Sequence, residues 1–460
     1  MTQSVLGVGF WVLGLNASAW GRRFRWPTNL TAIASQAPCR RVAVSPCHNI
    51  DAFRRSWRAS LALLALTAAA WGQTFTQRGF LETDFIGYPQ TAPGDSGQAI
   101  GEALFRYEAF YKLSSDWQFA GGFDARADTH GQVDRDWELS WDDRERRRPS
   151  FAVRQLNATY SKNKLTVELG KQFIRWGKAD LLNPTDRFAP RDFLTVVDAD
   201  FLAITAARLT YGGQSNTIEL VWCPLFTPSR VPLLNQRWSI VPEGVSLVEQ
   251  APVFPGGSQF GARWNHIGGV AEYSLSFYDG HNNLPLFNLQ LQPQAPLTVD
   301  IQEFYPQMRM YGGDAAVPLK GVTVKVEAAY FTSTTKTEDE YALFVAQVEK
   351  QAGEWFFIGG YAGEAVTEHR SILEFAPDRG LTRAFLGHAG YTIDTNRSVS
   401  LETVIRQNGR GEWATLAYSQ AFGQHWRATA GYTLIRGDAS DFLGQYRRNS
   451  HALVALRYSF

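Results

Sequence analysis

His451-Ala452-Leu453-Val454-Ala455-Leu456-Arg457-Tyr458-Ser459-Phe460 is the last stretch of the sequence, and its reading decides the fold class. Taken in steps of two, Phe460, Tyr458, Leu456, Val454 and Ala452 are all apolar. Between them, Ser459, Arg457, Ala455, Leu453 and His451 are mixed to polar. A period of two is a strand with unlike faces. At ~10 residues it has the length of a strand that crosses a bilayer at a tilt. One face suits lipid, the other suits a wet lumen, and the aromatics gather at one end, as in an outer-membrane barrel strand. Tyr458 and Phe460 also have the form of the assembly signal by which bacterial barrels are recognised for insertion. Alone, the segment also fits, less well, the edge of a soluble sheet, so the rest of the chain has to separate the two.

Composition favours the barrel. Aromatic residues make up 13% of the 460, yet mean hydropathy is only −0.24. Past residue 75 no apolar run approaches the ~18 residues a membrane helix needs. Many aromatics without helix-length apolar runs is what barrel strands produce, because only alternate residues meet lipid. The formal net charge of +1 gives no reason to expect a nucleic-acid partner.

Arg54-Arg55-Ser56-Trp57-Arg58 precedes the apolar core Ala59–Ala70 and then Trp71-Gly72-Gln73. A basic flank, a short apolar core and small residues make a secretory signal peptide. It starts late, so residues 1–53 are expected to be an over-extended or disordered leader, 54–73 the signal peptide and 74–460 the barrel. The leader carries Cys39 and Cys47, which leaves Cys223 alone in the mature chain. A lone thiol offers neither an internal disulfide nor a metal site, and no cofactor is expected.

From Phe75 onward, strand-like stretches follow at 75–88, 102–113, about 118–130, 150–161, 164–176, 204–212, 216–226, 258–267 and 270–280. They continue at 307–318, 322–334, 341–350, 354–366, 381–393, 398–407, 412–422, 425–436 and 447–460. Even-to-odd connections are short, for example Lys162-Asn163, Gly268-Gly269 and Gly423-Gln424, whereas most odd-to-even connections are long. Short turns at one end and long loops at the other are the layout of an antiparallel transmembrane β-barrel. About eighteen strands are expected, with sixteen as the alternative.

Inside such a barrel the polar face of each strand meets the lumen, because unsatisfied charge in hydrocarbon is costly. On that basis Arg106, Arg126, Arg208, Arg263, Lys325 and Arg406 are expected in the lumen. So are Glu108, Asp124, Glu219 and Glu327, and the signs nearly balance, with no ring of one charge to make a strongly selective pore. Many of these can serve simply as ion pairs that stiffen the wall. The long loop after strand five is dense in Arg and Asp beside Trp and Phe. If it folds inward, Arg175, Lys178, Asp180, Asp186, Arg187, Arg191 and Asp192 form the constriction.

That loop carries Gly170-x-Gln172, Trp176-Gly177-Lys178-x-Asp180 and Asn183-Pro184-x-Asp186, followed later by Val221-Trp222-Cys223-Pro224-Leu225-Phe226-Thr227-Pro228-Ser229-Arg230-Val231-Pro232. The pattern resembles an uncharacterised porin-like outer-membrane family of Gram-negative bacteria, a domain of unknown function. Alginate-export-type porins are a more distant similarity, in architecture. The resemblance implies a porin-like barrel and says little about solute.

The expected function is therefore a porin-like channel in the bacterial outer membrane, for passive diffusion of small polar or weakly charged solutes. A barrel transporter for a hydrophobic solute or exported compound is the alternative, kept open by Trp and Phe in the loops at 137–141 and 284–304. An enzyme is not expected: the chain has eight His, no Gly-x-Ser-x-Gly and no His-Glu-x-x-His. Energised uptake would need ~22 strands around a plug, more than 74–460 can supply. Expected partners are outer-membrane lipid and lipopolysaccharide, the barrel-assembly machinery and small solutes, with a homotrimer as one assembly state.

Overall fold

The computed structural model describes residues 74–240, 246–292, 298–371 and 375–460. The leader and the signal peptide lie outside the described residues. Eighteen antiparallel strands form one closed wall. In chain order they are β1 (Phe75–Gly87), β2 (Ala99–Lys112), β3 (Trp117–Asp128), β4 (Phe151–Lys162), β5 (Leu165–Gln172) and β6 (Ile204–Gly212). Then come β7 (Asn216–Cys223), β8 (Gln259–His266), β9 (Glu272–His281), β10 (Gln307–Leu319), β11 (Val322–Thr332) and β12 (Glu340–Ala352). The series ends with β13 (Trp355–Glu368), β14 (Ala384–Asp394), β15 (Arg397–Arg406), β16 (Gly411–Phe422), β17 (Trp426–Gly437) and β18 (His451–Ser459). Each strand pairs with its sequence neighbours, and β1 pairs with β18 from Phe80↔Ser459 to Gly87↔Ala452. That last pairing leaves no sheet edge, which lipid requires of any spanning sheet.

The expected alternation holds on the outer surface. Val454, Leu456 and Phe460 of the closing strand are exposed, as are Leu275 on β9 and Val326 and Tyr330 on β11. Aromatics crowd the short-turn end in cross-strand pairs. Trp117 lies 5.0 Å from Tyr160, Trp355 4.6 Å from Tyr391, and Trp426 5.0 Å from Tyr458, measured between ring centres. Amphipathic rings at that height form the girdle of a membrane interface.

Several strand ends differ from the expectation, and each difference has a local cause. β5 stops at Gln172 rather than 176, because Phe173–Trp176 leave the wall and turn into the barrel. β7 stops at Cys223, where Pro224 follows and cannot donate to the ladder. β18 begins at His451 rather than 447, since Gly444–Asn449 is a 3-10 turn. β2 begins earlier, at Ala99, and β14 later, at Ala384. The connection 407–410 between β15 and β16 is short although it lies at the long-loop end.

The loops carry structure that the pattern did not reveal. Leu286–Gln292 and Thr298–Phe304 form a hairpin, and Ser246–Glu249 pairs parallel to its second strand. A helical turn, α1 (Pro377–Gly380), sits between β13 and β14.

Candidate functional site: a loop seated across the barrel

The connection between β5 and β6, residues 173–203, folds inward. Its departure is set at Gly170, whose φ of +122° and a Leu156 carbonyl only 2.2 Å from where a Cβ would sit both exclude a side chain. Next to it, Lys171 is fully buried, and its Nζ donates to Asp143 Oδ2 and to the Trp141 carbonyl, each at 2.6 Å. Gln172 donates to the Ala206 carbonyl at 2.9 Å. These bonds tie the foot of the loop to the wall and to the loop between β3 and β4.

The centre of the loop rests on one wall carboxylate. Glu327 of β11 accepts from Lys178 N at 3.1 Å and Ala179 N at 3.2 Å through one oxygen. Its other oxygen accepts from Thr185 N at 2.8 Å and Thr185 Oγ1 at 2.9 Å. A buried carboxylate with several donors is a strong fixture, since charge-assisted bonds exceed neutral ones. Gly177 makes the approach possible: its φ is +96°, and a Cβ there would stand 2.6 Å from the Glu327 carboxylate. Trp176 donates its indole N–H to Glu219 at 2.5 Å. Asp180 accepts from Lys325 Nζ and Gln347 Nε2, each at 2.6 Å. The Trp-Gly-Lys-x-Asp pattern thus encodes a loop anchor on β7, β11 and β12.

The expected constriction residues fall into separate groups. Lys178 reaches Glu272 at 3.1 Å and Asp180 pairs with Lys325, so both belong to the wall contact. Asp186 folds back under the loop, paired with Arg175 and accepting from Trp176 N at 3.0 Å. Arg187 pairs with Asp378 at 3.5 Å, and Arg191 stacks on Phe201 with 4.5 Å from its guanidinium carbon to the ring centre. Together Asp186, Arg187, Arg191, Asn282, Asn283 and Asp378 line a small cavity of about 70 Å³ between this loop, the loop after β9 and α1. Burial, with Arg175 close by, pushes the Arg191 guanidinium down to about 10.

Asp192 lies apart, in a knot the sequence did not expose. It accepts from Arg148 at 2.9 Å and Arg230 at 3.2 Å, while Arg230 also donates to Asp143 at 2.8 Å. Burial alone would raise Asp192, but Arg148 and Arg230 overcome it and hold the carboxyl at about 2. The run Arg146-Arg147-Arg148-Pro149 was the one available hint, and it gave no indication of its partner.

The residues expected in the lumen make polar contacts in two groups. On β2 to β4, Arg106 forks onto Asp124 at 2.7 and 2.8 Å. Arg106, Arg126 and Arg154 converge on Asp200 of the loop at 3.1, 3.6 and 3.5 Å. Asp200 is 40% exposed, so this side of the loop is wet. Glu108 pairs with Arg78 at 2.6 Å, and Arg208 with Glu219 at 2.5 Å. Arg263 bonds Asp314 at 2.6 Å, and Arg406 pairs with Asp441 at 3.2 Å. Neither Arg154 nor Asp200 was expected at the site.

Across the barrel the inner wall is apolar at the long-loop end, contrary to the expectation of a polar inner face throughout. Leu181, Leu182, Val196 and Val197 of the loop pack on Val345, Ile358, Leu386, Val404 and Trp413. Ile174, Trp176 and Phe188 pack on Tyr278, Met308, Met310, Phe331 and Leu343. Those strands are apolar on both faces near that end, so a period of two is invisible there.

No protein-family model matches the chain, and no curated protein matches it either. Solved structures do. A BenF-like porin from Pseudomonas fluorescens aligns with a TM-score of 0.50 at 8% identity, covering 84% of this chain and 98% of that one. OccAB4 of Acinetobacter baumannii gives 0.49 at 9% identity, covering 84% and 99%. A Rhodopseudomonas blastica porin gives 0.37 at 9% identity, covering 84% and 100%. At such identities the likeness concerns fold. The chain shares the closed antiparallel barrel fold of the BenF-like porin.

Proposed function

We propose that the protein is a passive channel for small polar, zwitterionic or weakly charged solutes. The observation that carries this is the asymmetric seat of loop 173–203. Its apolar residues cover the wall from β7 to β17, and its Asp200 faces the arginine and carboxylate wall of β2 to β4. A passage along that wall meets fixed charges of both signs, which suits solutes bearing both or neither. Of the constriction residues, Asp186, Arg187 and Arg191 line the small cavity, whereas Lys178, Asp180 and Asp192 hold the loop. The alternative of a hydrophobic passage is disfavoured, because the apolar inner patches are covered by the loop.

Planar-bilayer recording tests the proposal. Discrete conductance steps with weak preference between anions and cations are expected, together with liposome swelling by small amino acids. A barrel that inserts but passes no current would overturn it. Export of a compound belongs to the alternative, whereas docking with the barrel-assembly machinery and a homotrimer belong to the same proposal and rest on the barrel type. So does a mature chain starting near residues 71–74, which N-terminal sequencing of outer-membrane material checks.

A further inference from the structure

At the long-loop end β17 outruns β18. Their pairing stops at Thr433↔His451, whereas β17 stays paired with β16 up to Gly437↔Gly411. The step leaves a notch beside the start of β18, where Ser450 Oγ satisfies the Ile435 backbone N–H at 2.9 Å and accompanies its carbonyl at 3.2 Å. The notch is a cavity of about 490 Å³. Tyr432 and Leu434 supply apolar surface, Gln90 closes one side, and Arg436, Arg447 and Arg448 supply three guanidinium groups. No carboxylate lines it among the described residues.

The walls are held in place. Tyr446 is buried against Trp238 with ring centres 5.6 Å apart, and Asn449 donates to the Arg237 carbonyl at 2.8 Å. Arg237 in turn donates to the Gln90 carbonyl at 3.2 Å and the Arg448 carbonyl at 3.4 Å, joining the two sides. The 3-10 turn is therefore fixed while its Arg447 and Arg448 side chains stay exposed. Arg447 reaches only the Gly444 carbonyl of its own turn, at 3.2 Å, among the contacts that the structure records. Arg436 lies 3.8 Å from Glu412, both well exposed, a pair that water screens. The other charges nearby, Arg410 and Asp438, stand 4.0 Å from each other.

Tyr432 belongs to the outward row of β17 and is paired with the outward Ala452, so the notch opens at the upper edge of the lipid-facing band. Cations there sit at the height of outer-leaflet headgroups, and guanidinium groups take phosphate through paired N–H donors. We propose that this notch is a binding site for the phosphate group of an outer-leaflet glycolipid. Arg436, Arg447 and Arg448 hold the phosphate, and Tyr432 and Leu434 run beside the first part of an acyl chain.

The test uses the full barrel in detergent, with bisphosphorylated lipid A as the probe and native mass spectrometry as the readout. Wild-type protein should retain the lipid, and the variant R436Q/R447Q/R448Q should bind about tenfold or more weakly, as expected when charge-assisted bonds are lost. Dephosphorylated lipid A should bind as weakly to the wild type, and millimolar inorganic phosphate should not displace the lipid. Arg309→Gln, on another exposed strand, should retain it. Heat-modifiable migration and unchanged single-channel conductance establish that each variant is folded, and the single variant Arg448→Gln replaces the triple if that fails to assemble. Equal retention by the arginine variant, or by dephosphorylated lipid, would overturn the site. Displacement by inorganic phosphate would overturn the lipid as its occupant.

Discussion

Glu327 bears more of the loop's position than any charged residue expected in the pore, because four donors of the loop converge on its two oxygens. Glu327→Ala leaves those donors unpaired in a buried place, a loss of about 3 kcal/mol or more in the seating of the loop. We expect noisier and larger single-channel currents from Glu327→Ala and faster protease cleavage within 173–203. Glu327→Gln, which keeps acceptor capacity, should lie between. Gly177→Ala should act in the same direction as Glu327→Ala, since its Cβ would occupy the carboxylate's place. A pH effect comes from two loop acids of opposite sign. Burial raises Asp198 well above 3.8, with Asp84, Glu102 and Asp200 adding repulsion against the pull of Arg148. It therefore favours the seated loop when protonated and opposes it as pH rises through the raised value. Asp192, held at about 2, stabilises the seat above the ordinary carboxylate range and is lost as pH falls from 3.8 toward 2. Between neutrality and about pH 4 the Asp192 effect is constant while that of Asp198 changes, so protonation of Asp198 should quieten the channel over that window. Asp198→Asn should flatten the dependence, and a current noise that rises steadily from pH 7 to 4 in the wild type would contradict the assignment.

If the protein is the channel proposed above, loop 173–203 is the element on which its conductance should depend. Excising Pro184–Asp192 removes Asp186, Arg187, Arg191 and Asp192, equal numbers of each sign, along with the Thr185 contacts to Glu327. A clear rise in conductance with little change in ion preference is expected in planar bilayers. Unchanged conductance in a folded, excised barrel would place the narrowest point elsewhere. The same element shows where sequence stopped being legible. All eighteen strands were visible because Leu275, Val326 or Leu456 meets lipid on one side while Ser274, Lys325 or Arg457 meets polar groups on the other. The loop's Arg and Asp beside Trp and Phe left an inward course and an exposed surface loop equally open. Its anchor was not legible, because Glu327 lies far away in sequence and looks like any other lumen acid. The apolar upper half of β12 escaped for a related reason: Tyr341, Leu343 and Val345 face a loop, and neighbours such as Ala342 and Phe344 are apolar too. The hairpin Leu286–Gln292 and Thr298–Phe304 was hidden in a stretch whose polar residues read as plain loop.

At the scale of the whole barrel, closure rests on the seam between β1 and β18, and Phe460 finishes it. Its backbone exchanges two hydrogen bonds with Gly79, 3.1 Å from Gly79 N to its carbonyl and 3.0 Å from its own N to the Gly79 carbonyl. Its ring lies over Gly79, where a Cβ would come within 2.5 Å of it, and is stacked 6.1 Å from Phe105 on β2. The terminal residue therefore spans the seam and touches the second strand beyond it. Deleting it removes those bonds and ~2 kcal/mol of ring burial, a modest fraction of what the eight-residue register from Phe80 to Gly87 supplies. Thermodynamics alone would let the shortened barrel close. We propose that recognition at insertion, a kinetic matter, depends on the aromatic end of the strand being present before closure. We expect the Phe460 deletion to accumulate unfolded in the periplasm and be degraded there, while the same chain refolded from urea into detergent micelles closes with near-normal heat-modifiable migration. Normal yield of the deletion in the outer membrane would show that Phe460 is only a seam residue. Failure in both settings would show that its contacts with Gly79 and Phe105 are needed for closure itself.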